Sequence, residues 1–320
     1  MSDLVSIEEI RAAAARIESH AVRTPLLTSP WTDDRSELWL KAELLQPMGA
    51  FKIRGAVNAI AAMDPQLRAR GVLAHSSGNH AQAVAYAARL FGVDAHIVIP
   101  DSAPPRKIAA TRALGATVEL VPLAQRFSRP LEIQAVTGKP MVPPFDDRNV
   151  IAGQGTVALE IADAAPDVAV ILVPVSGGGL ISGIAAAAAA LLPNTAIIGV
   201  EPELAGDAAE SLRTGTHVSW QPEQTARTIA DGLRSWSLGE LPWQHISIQV
   251  HDIITVTEDE IRDATRRLVL QTHLVAEPSG AVSVAGHLHH SDQLPAGKRV
   301  AIVSGGNIDP AVLLDILGTA

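Results

Sequence analysis

The chain has 320 residues, 47% hydrophobic and 18% charged, enough for one large or two modest globular domains. A net charge of −9, the lack of any basic run and an aromatic content of 3% argue against nucleic-acid binding. With no cysteine there is no disulfide, thiolate metal site or cysteine nucleophile, and a reducing compartment fits.

The first 21 residues are acidic and amphipathic, without the basic start and apolar core of a signal peptide. The most apolar stretch, 181–192, is alanine-rich and too short to span a bilayer, so a soluble cytoplasmic protein is expected. Ser6-Ile7-Glu8-Glu9 has the form of a capping box and opens a helix with apolar positions Ile7, Ile10, Ala14 and Ile17. Thr24-Pro25 ends that region. A short strand is predicted over 38–42. Gly49-Ala50-Phe51-Lys52-Ile53-Arg54-Gly55-Ala56 follows, with a helix predicted from 56 to 63. A strand over 71–75 runs into Ser76-Ser77-Gly78-Asn79-His80 and a helix over 81–90. Strand, helix and strand are then predicted over 95–99, 106–114 and 117–121. This alternation predicts a parallel sheet with crossover helices.

The proline- and aspartate-rich stretch 140–148 reads as a crossing back to a larger domain. A helix over 156–164 and a buried strand over 168–173 lead to Pro174-Val175-Ser176-Gly177-Gly178-Gly179 and an alanine-rich helix. A strand over 196–200 precedes Glu201-Pro202, and 221–243 reads as a long irregular region. A strand over 253–256 comes next, then a helix capped by Thr257 and Glu260. Glu277-Pro278-Ser279-Gly280-Ala281 opens a further helix. The last strand, over 299–303, ends at Ser304-Gly305-Gly306-Asn307.

Four of these segments follow strand C-terminal ends, where open parallel sheets bind ligands. The glycines at 177–179 suit a phosphate, because their N–H groups and a helix N-terminus favour an anion. The spacing is not G-x-x-x-x-G-K-[ST], and Ser182 stands where a dinucleotide fold has its third glycine. A ligand-free turn explains the glycines equally well. Ser76 to His80 suits a carboxylate, although N-capping by Ser76 or Ser77 is the simpler reading. The Ser304 hydroxyl suits a heterocycle nitrogen, or merely ends a strand. Lys52, between Phe51 and Ile53, reads as a partly buried amine with a lowered pKa. Glu201, Asp207 and the Ala205 carbonyl suit a hard divalent cation, against a default of solvated loop acids. His287, His289 and His290 read as solvated surface.

In this order, the lysine, Ser76–His80, triple-glycine and Ser304–Asn307 segments, with Val150-Ile151-Ala152-Gly153-Gln154-Gly155-Thr156, resemble fold-type II pyridoxal-phosphate enzymes. The resemblance covers nearly the whole chain and is nearest the threonine/serine dehydratase and serine racemase family. It implies an α/β fold of two open parallel-sheet domains with flanking helices. A large cofactor-binding domain would span 1–70 and 147–320, and a small mobile domain, 71–146, would close over the site. Lys52 would hold pyridoxal phosphate covalently and later move the α-proton. Phe51 would pack near the ring, Asn79 would bond its phenolic oxygen, and Ser304 would face its nitrogen. Main-chain N–H groups of Gly177, Gly178, Gly179 and Leu180 would hold the phosphate. Gly232 and Glu277 would line the ring's surroundings. Ser76, Ser77, Gly78, Asn79 and His80 would receive the substrate carboxylate, and Ser77 matches the second acid/base group of the racemases. Glu201, Ala205 and Asp207 match the family's divalent cation site, for magnesium or manganese.

The implied reaction removes water and ammonia from L-threonine or L-serine, giving 2-oxobutanoate or pyruvate. A neutral Ser304 would leave the ring nitrogen largely unprotonated, which favours expulsion of a β-hydroxyl. The implied partners are a small amino-acid substrate and a second copy in a homodimer, with no nucleic acid and no membrane. Ala50 departs from the serine the family often has. Phe145-Asp146-Asp147 resembles the dehydratases more than the animal racemases. The end at Ala320 leaves no room for the regulatory domain of isoleucine-pathway enzymes, so isoleucine feedback is not expected. Serine racemase, through Ser77, and L-threo-3-hydroxyaspartate ammonia-lyase are the alternatives. For the latter, Arg126 reads either as the receptor of a second carboxylate or as a surface residue. A non-catalytic amino-acid or phosphate binder is disfavoured by Lys52 together with the ring-nitrogen serine.

Overall fold

A computed structural model describes residues 4–318. Among them the strands are β1 (Leu26–Thr28), β2 (Ser36–Lys41), β3 (Val72–His75), β4 (Ala95–Pro100), β5 (Thr117–Val121), β6 (Val170–Pro174), β7 (Ala196–Pro202), β8 (Asp252–Val256) and β9 (Gly297–Ile302). One sheet has the order β1-β2-β9-β6-β7-β8, and a second has β3-β4-β5. All pairings are parallel except that of β1 with β2. Parallel neighbours need crossover helices, which cover both sheet faces, so such strands must be apolar on both sides. β6 meets that demand with every residue buried. The α/β architecture expected from the sequence is present, with one short antiparallel edge added. No helix among the described residues is long and apolar enough to cross a membrane.

Departures from the expected elements have local causes. β1 is an edge strand of 3 residues, too short to carry a periodic pattern. Helix Arg148–Ala164 starts well before 156, because Asp147 caps it by accepting from Val150 N at 2.9 Å. Helix Lys52–Ala62 begins at the lysine itself rather than at Ala56. Helix Ser128–Thr137 was not expected; Pro130 in its first turn and its weak apolar face hide it. In helix Ile7–Ile17 the Ser6–Glu9 capping box forms, but Ala13, not Ala14, joins Ile10 and Ile17 in the core. The region 221–243 contains short turns at Pro222–Thr225 and Asp231–Leu233 before helix Glu240–Gln249.

Three helices bring their backbones close together: Lys52–Ala62, Arg148–Ala164 and Gly179–Leu191. A Cβ on Gly153 would strike the Arg54 carbonyl, and one on Gly183 would strike the Ile151 carbonyl. A Cβ on Gly155 would lie 2.8 Å from the Gly183 carbonyl oxygen. Gly153-Gln154-Gly155 is therefore a packing motif, and its glycines set how near the lysine-bearing helix can come.

Beside that crossing lies a buried ion network. Arg54 forks onto both oxygens of Glu43 at 2.8 Å each, and onto Glu160 at 2.7 and 3.0 Å. Its remaining contacts are Thr156 Oγ1 at 3.1 Å and the Val22 carbonyl at 3.2 Å. Lys41 Nζ donates to Glu160 at 2.5 Å and to the Thr24 carbonyl at 2.7 Å. Arg54 and Glu43 are fully buried. Burial alone would lower the Arg54 pKa, but Glu43 and Glu160 outweigh it and raise it. Removing one partner strands a buried charge, which costs about 3–5 kcal/mol. Arg54→Met is expected to lower the unfolding free energy in urea by about that amount. A loss below about 1 kcal/mol would show that the carboxylates find other partners.

Candidate functional site

The C-terminal ends of β2, β6 and β9 in the larger sheet, and of β3 in the smaller, lead into the four segments marked out by the sequence. The loops after β2 and β9 are zipped together. Phe51 N donates to the Ser304 carbonyl at 3.0 Å, and Gly306 N to the Gly49 carbonyl at 2.8 Å. Gly49 has φ 67°, and a Cβ there would lie 2.7 Å from Asn307 Oδ1, so the turn into Lys52 requires glycine. Glu277 N donates to the Gly305 carbonyl at 3.0 Å, which brings the start of helix Pro278–His290 to the same place.

Lys52 opens its helix at this junction. Its Nζ donates to the Pro144 carbonyl at 2.6 Å and lies 5.1 Å from the centroid of the Phe51 ring. The side chain keeps some solvent access, yet protein crowds the ammonium. Burial pushes its pKa down to about 8. Near neutral pH part of the Lys52 population is thus an uncharged amine.

Gly177 and Gly178 join β6 to helix Gly179–Leu191. Gly178 takes φ 89°, and a Cβ on Gly177 or Gly179 would run into Phe145. The loop therefore presents bare main chain and a helix N-terminus, a setting for an anion. The Leu180 side chain is buried in the core, so only its main chain belongs to the loop. The loop is tied to the 231–239 segment, since Ser235 N donates to Ser176 Oγ at 3.2 Å and Gly239 N to the Gly177 carbonyl at 3.1 Å.

Asn79, first residue of helix Asn79–Leu90, links the two sheets' loops. Its Nδ2 donates to Glu277 Oε1 at 2.6 Å, and its Oδ1 accepts from Asn307 Nδ2 at 2.8 Å. Gly78 N donates to Ser76 Oγ at 3.2 Å. The Ser77 hydroxyl makes no hydrogen bond among the described residues. The His80 ring is buried and turned away, with Nε2 at 2.8 Å from the Val142 carbonyl. Burial, then the charge on Lys52, pushes its pKa to about 3, so it stays neutral. Only the main chain of His80 remains to face an anion. Burial, then the charge of Asp231, pushes the Glu277 carboxyl up to about 7. Ser304 Oγ makes a long contact to the Ser279 carbonyl at 3.5 Å. Gly232 is largely exposed and touches this group through its N–H to Ser279 Oγ at 2.9 Å.

Lys52, Phe51, Asn79, the triple-glycine loop, Glu277 and Ser304 thus converge. Glu201 and Asp207 form a separate buried pair at the end of β7. Glu201 accepts from Ala209 N at 2.8 Å and Ala208 N at 3.4 Å, while Asp207 Oδ2 has no partner. Burial raises both carboxyls, and Asp207 raises Glu201 further. Among the described residues no three His, Cys, Asp or Glu side chains are grouped to hold a metal. Of the three histidines expected at a solvated surface, His287 is instead buried against the Trp31 carbonyl, while His289 and His290 pair with Asp263 and Glu260. Sequence reasoning gave no role to Asn307, although it named the motif containing it. It also assigned nothing to the Pro144 carbonyl, for which no sequence signal exists.

Residues 17–306 match the family described as pyridoxal-phosphate dependent enzyme. The chain is 44% identical over 313 residues to the L-threonine ammonia-lyase of Thermotoga maritima, covering 96% of this chain and 76% of the relative. It is 40% identical over 312 residues to the L-threo-3-hydroxyaspartate ammonia-lyase of Saccharomyces cerevisiae, covering 94% and 93%. The structure of maize serine racemase superposes with a TM-score of 0.91 at 39% identity, covering 97% of this chain and 96% of that one.

Glu277 supplies a pH test of the site. Its folded pKa of about 7 lies above the ordinary 4.5, so its favourable contribution is complete below pH 4.5 and is lost as pH rises through 7. The stability of Glu277→Gln relative to the parent is expected to rise across that window in urea titrations. A difference that stays flat would mean Glu277 ionises normally.

Proposed function

The chain belongs to the pyridoxal-phosphate dependent enzymes, in their ammonia-lyase and racemase branch, and we propose that it is a dehydratase of β-hydroxy amino acids. L-Threonine and L-serine would give 2-oxobutanoate and pyruvate with ammonia. The observation that carries this reading is Lys52, a desolvated lysine at the meeting point of the site's loops.

The residues fit pyridoxal phosphate. The cradle of Gly177, Gly178, Gly179 and the Leu180 N–H leaves no room for a Cβ and would take the phosphate. Lys52 would hold the cofactor through its amine, beside Phe51. Ser304 would face the ring nitrogen as a neutral partner. Asn79, already positioned by Glu277 and Asn307, would meet the ring oxygen, with Gly232 and Glu277 nearby. When bound, the cofactor draws electron density from the α-carbon of the amino acid.

The protein's own groups do the rest. Ser76, Ser77, Gly78, Asn79 and the start of the His80 helix hold the substrate carboxylate against main-chain N–H groups. Lys52, part-deprotonated near neutral pH, takes the α-proton. Water leaves as the β-hydroxyl is expelled and returns on hydrolysis, so the net products are a 2-oxo acid and ammonia. The β3-β4-β5 part, 71–146, acts as the small mobile domain that closes over the site. Ser77 supports a second reading, serine racemisation, because its hydroxyl is uncommitted and stands in the carboxylate loop. The buried pair Glu201 and Asp207, with its orphaned oxygen, fits a magnesium or manganese ion joined by the Ala205 carbonyl. A homodimer in the cytoplasm completes the reading.

The purified protein is expected to absorb near the visible–ultraviolet border, and Lys52→Ala to lose at least roughly 100–10,000-fold in turnover. A colourless protein that takes up no cofactor would sink the enzyme reading. Assays of L-serine and L-threonine for both 2-oxo acid and D-enantiomer should show the oxo acid dominant; D-serine outpacing pyruvate would replace dehydratase with racemase. Chelator treatment should lower the melting temperature and magnesium restore it, whereas no change removes the cation from the proposal.

A further inference from the structure

Phe145-Asp146-Asp147, marked out in the sequence, has no task in the reaction as drawn. It lies on the strap 144–147, which crosses the seam from the β3-β4-β5 part to the larger-sheet part. Val142 still belongs to the smaller sheet, since its N–H donates to the Leu73 carbonyl at 2.8 Å. From Pro144 onward the holding contacts lie on the other bank. The Pro144 carbonyl accepts from Lys52 Nζ at 2.6 Å. Phe145 fills the space that a Cβ on Gly177 or Gly179 would need. Asp146 spreads its carboxylate over the start of helix Glu240–Gln249. Its Oδ2 accepts from Glu240 N at 3.1 Å and its Oδ1 from Leu241 N at 3.0 Å. Asp147 caps the helix that follows, Arg148–Ala164.

The Asp146 contact is built into the fold. Gly239, at the N-cap of helix Glu240–Gln249, offers no side-chain cap of its own. Its φ of −72° suits any residue, yet a Cβ there would lie 2.7 Å from Asp146 Cγ. Glycine at 239 thus makes room for a carboxylate from a distant part of the chain. That carboxylate meets two orphan N–H groups and the positive end of the helix. Gly239 N also donates to the Gly177 carbonyl at 3.1 Å. Asp146, the helix start, the glycine loop and Phe145 therefore close a ring of contacts. Pro144 leaves that ring with its carbonyl on the lysine. Proline at both 143 and 144 fixes φ there, which limits how far the carbonyl can swing.

We propose that Asp146 is a positioning residue for the active amine: its cap fastens the strap, and the strap keeps the Pro144 carbonyl as the resting place of the Lys52 amine whenever that amine is free. The inference rests on the reading of Lys52 as the group that takes the α-proton, and adds a reason why the freed amine stays within reach. A carbonyl accepts more strongly from an ammonium than from an amine, so this contact opposes the burial that lowers the Lys52 pKa. His80, kept neutral by its own burial, adds no charge beside it. The strap ends the part proposed to close over the site but is pinned to the other part. The resting place therefore does not travel with the smaller sheet.

The test follows two properties of the full chain in the parent, Asp146→Ala, Asp146→Asn and Thr257→Ala, the last removing a helix cap remote from the site. The first is the pH dependence of the rate at which cofactor-stripped protein takes up pyridoxal phosphate, read by absorbance; only the unprotonated amine reacts. Asp146→Ala is expected to move the midpoint of that rate down by about one pH unit, the size of effect that a hydrogen bond from a charged donor has. Asp146→Asn, which keeps one acceptor oxygen on the helix, should fall between it and the parent. Thr257→Ala should lower the urea midpoint comparably and leave the uptake profile in place. The second property is turnover of L-serine and L-threonine by holoenzyme at saturating cofactor. Asp146→Ala should lower kcat roughly 10–100-fold with KM little changed. An uptake midpoint that stays put or moves up in the Asp146 variants, or that Thr257→Ala moves equally, overturns the inference. So does a rise in KM with kcat unchanged. If the parent takes up the cofactor and deaminates neither amino acid, the dehydratase reading fails, and the uptake arm still decides the role of Asp146. If Asp146→Ala does not fold, the downward shift is read from Asp146→Asn.

Discussion

Arg54 and its two carboxylates fix where everything else in the site can be. Arg54 lies two residues after Lys52 on the same helix, so anchoring its guanidinium anchors the lysine. Glu43 comes from the turn after β2, and Glu160 from the helix behind. The bidentate contacts to both carboxylates hold that helix in rotation as well as position, which two apolar side chains would not do. The glycine contacts at Gly153 and Gly55 set the remaining coordinate, the distance between helices. The charged network is more a device of placement than a source of stability, since buried ion pairs nearly cancel their own desolvation.

Desolvation also sets the chemistry of the site. The same loss of water that lowers Lys52 to about 8 also lowers His80 to about 3 and raises Glu277 to about 7. All three shifts move toward the neutral form, as burial requires. The site's loops set main-chain N–H groups and the Asn79 and Asn307 amides beside these three groups. Anionic groups meeting these loops find oriented dipoles that need not reorganise.

Much of this was legible from the residues. The strand ends, the triple glycine and the lysine segment mark themselves because unusual residues stand where the sheet needs turns. The helix over 148–164 was legible only in its second half, because Gly153 and Gly155 look unhelical until the neighbouring helix is seen to require them. His80 was read as a carboxylate receptor, and its ring proves to be turned onto Val142, a rotamer choice that sequence does not encode. The link from Asn307 through Asn79 to Glu277 joins positions up to 228 residues apart. Phe127 and Trp236 meet for the same reason, by long-range folding rather than by any local pattern.

The contacts across the seam are unevenly distributed. On one side, Ile53, Val57 and Ile60 from the lysine helix share an apolar cluster with Ala81, Val84 and Ala88 of the helix after β3. On the other side the halves meet through the exposed Lys107–Asp231 pair and the ring contact of Phe127 with Trp236. Salt screens the first of these and leaves the second intact. The chain holds no cysteine. A thiol placed on each bank of the seam would have no competitor in the molecule, so a spin-label or fluorophore pair attached there would report the width of that gap and nothing else.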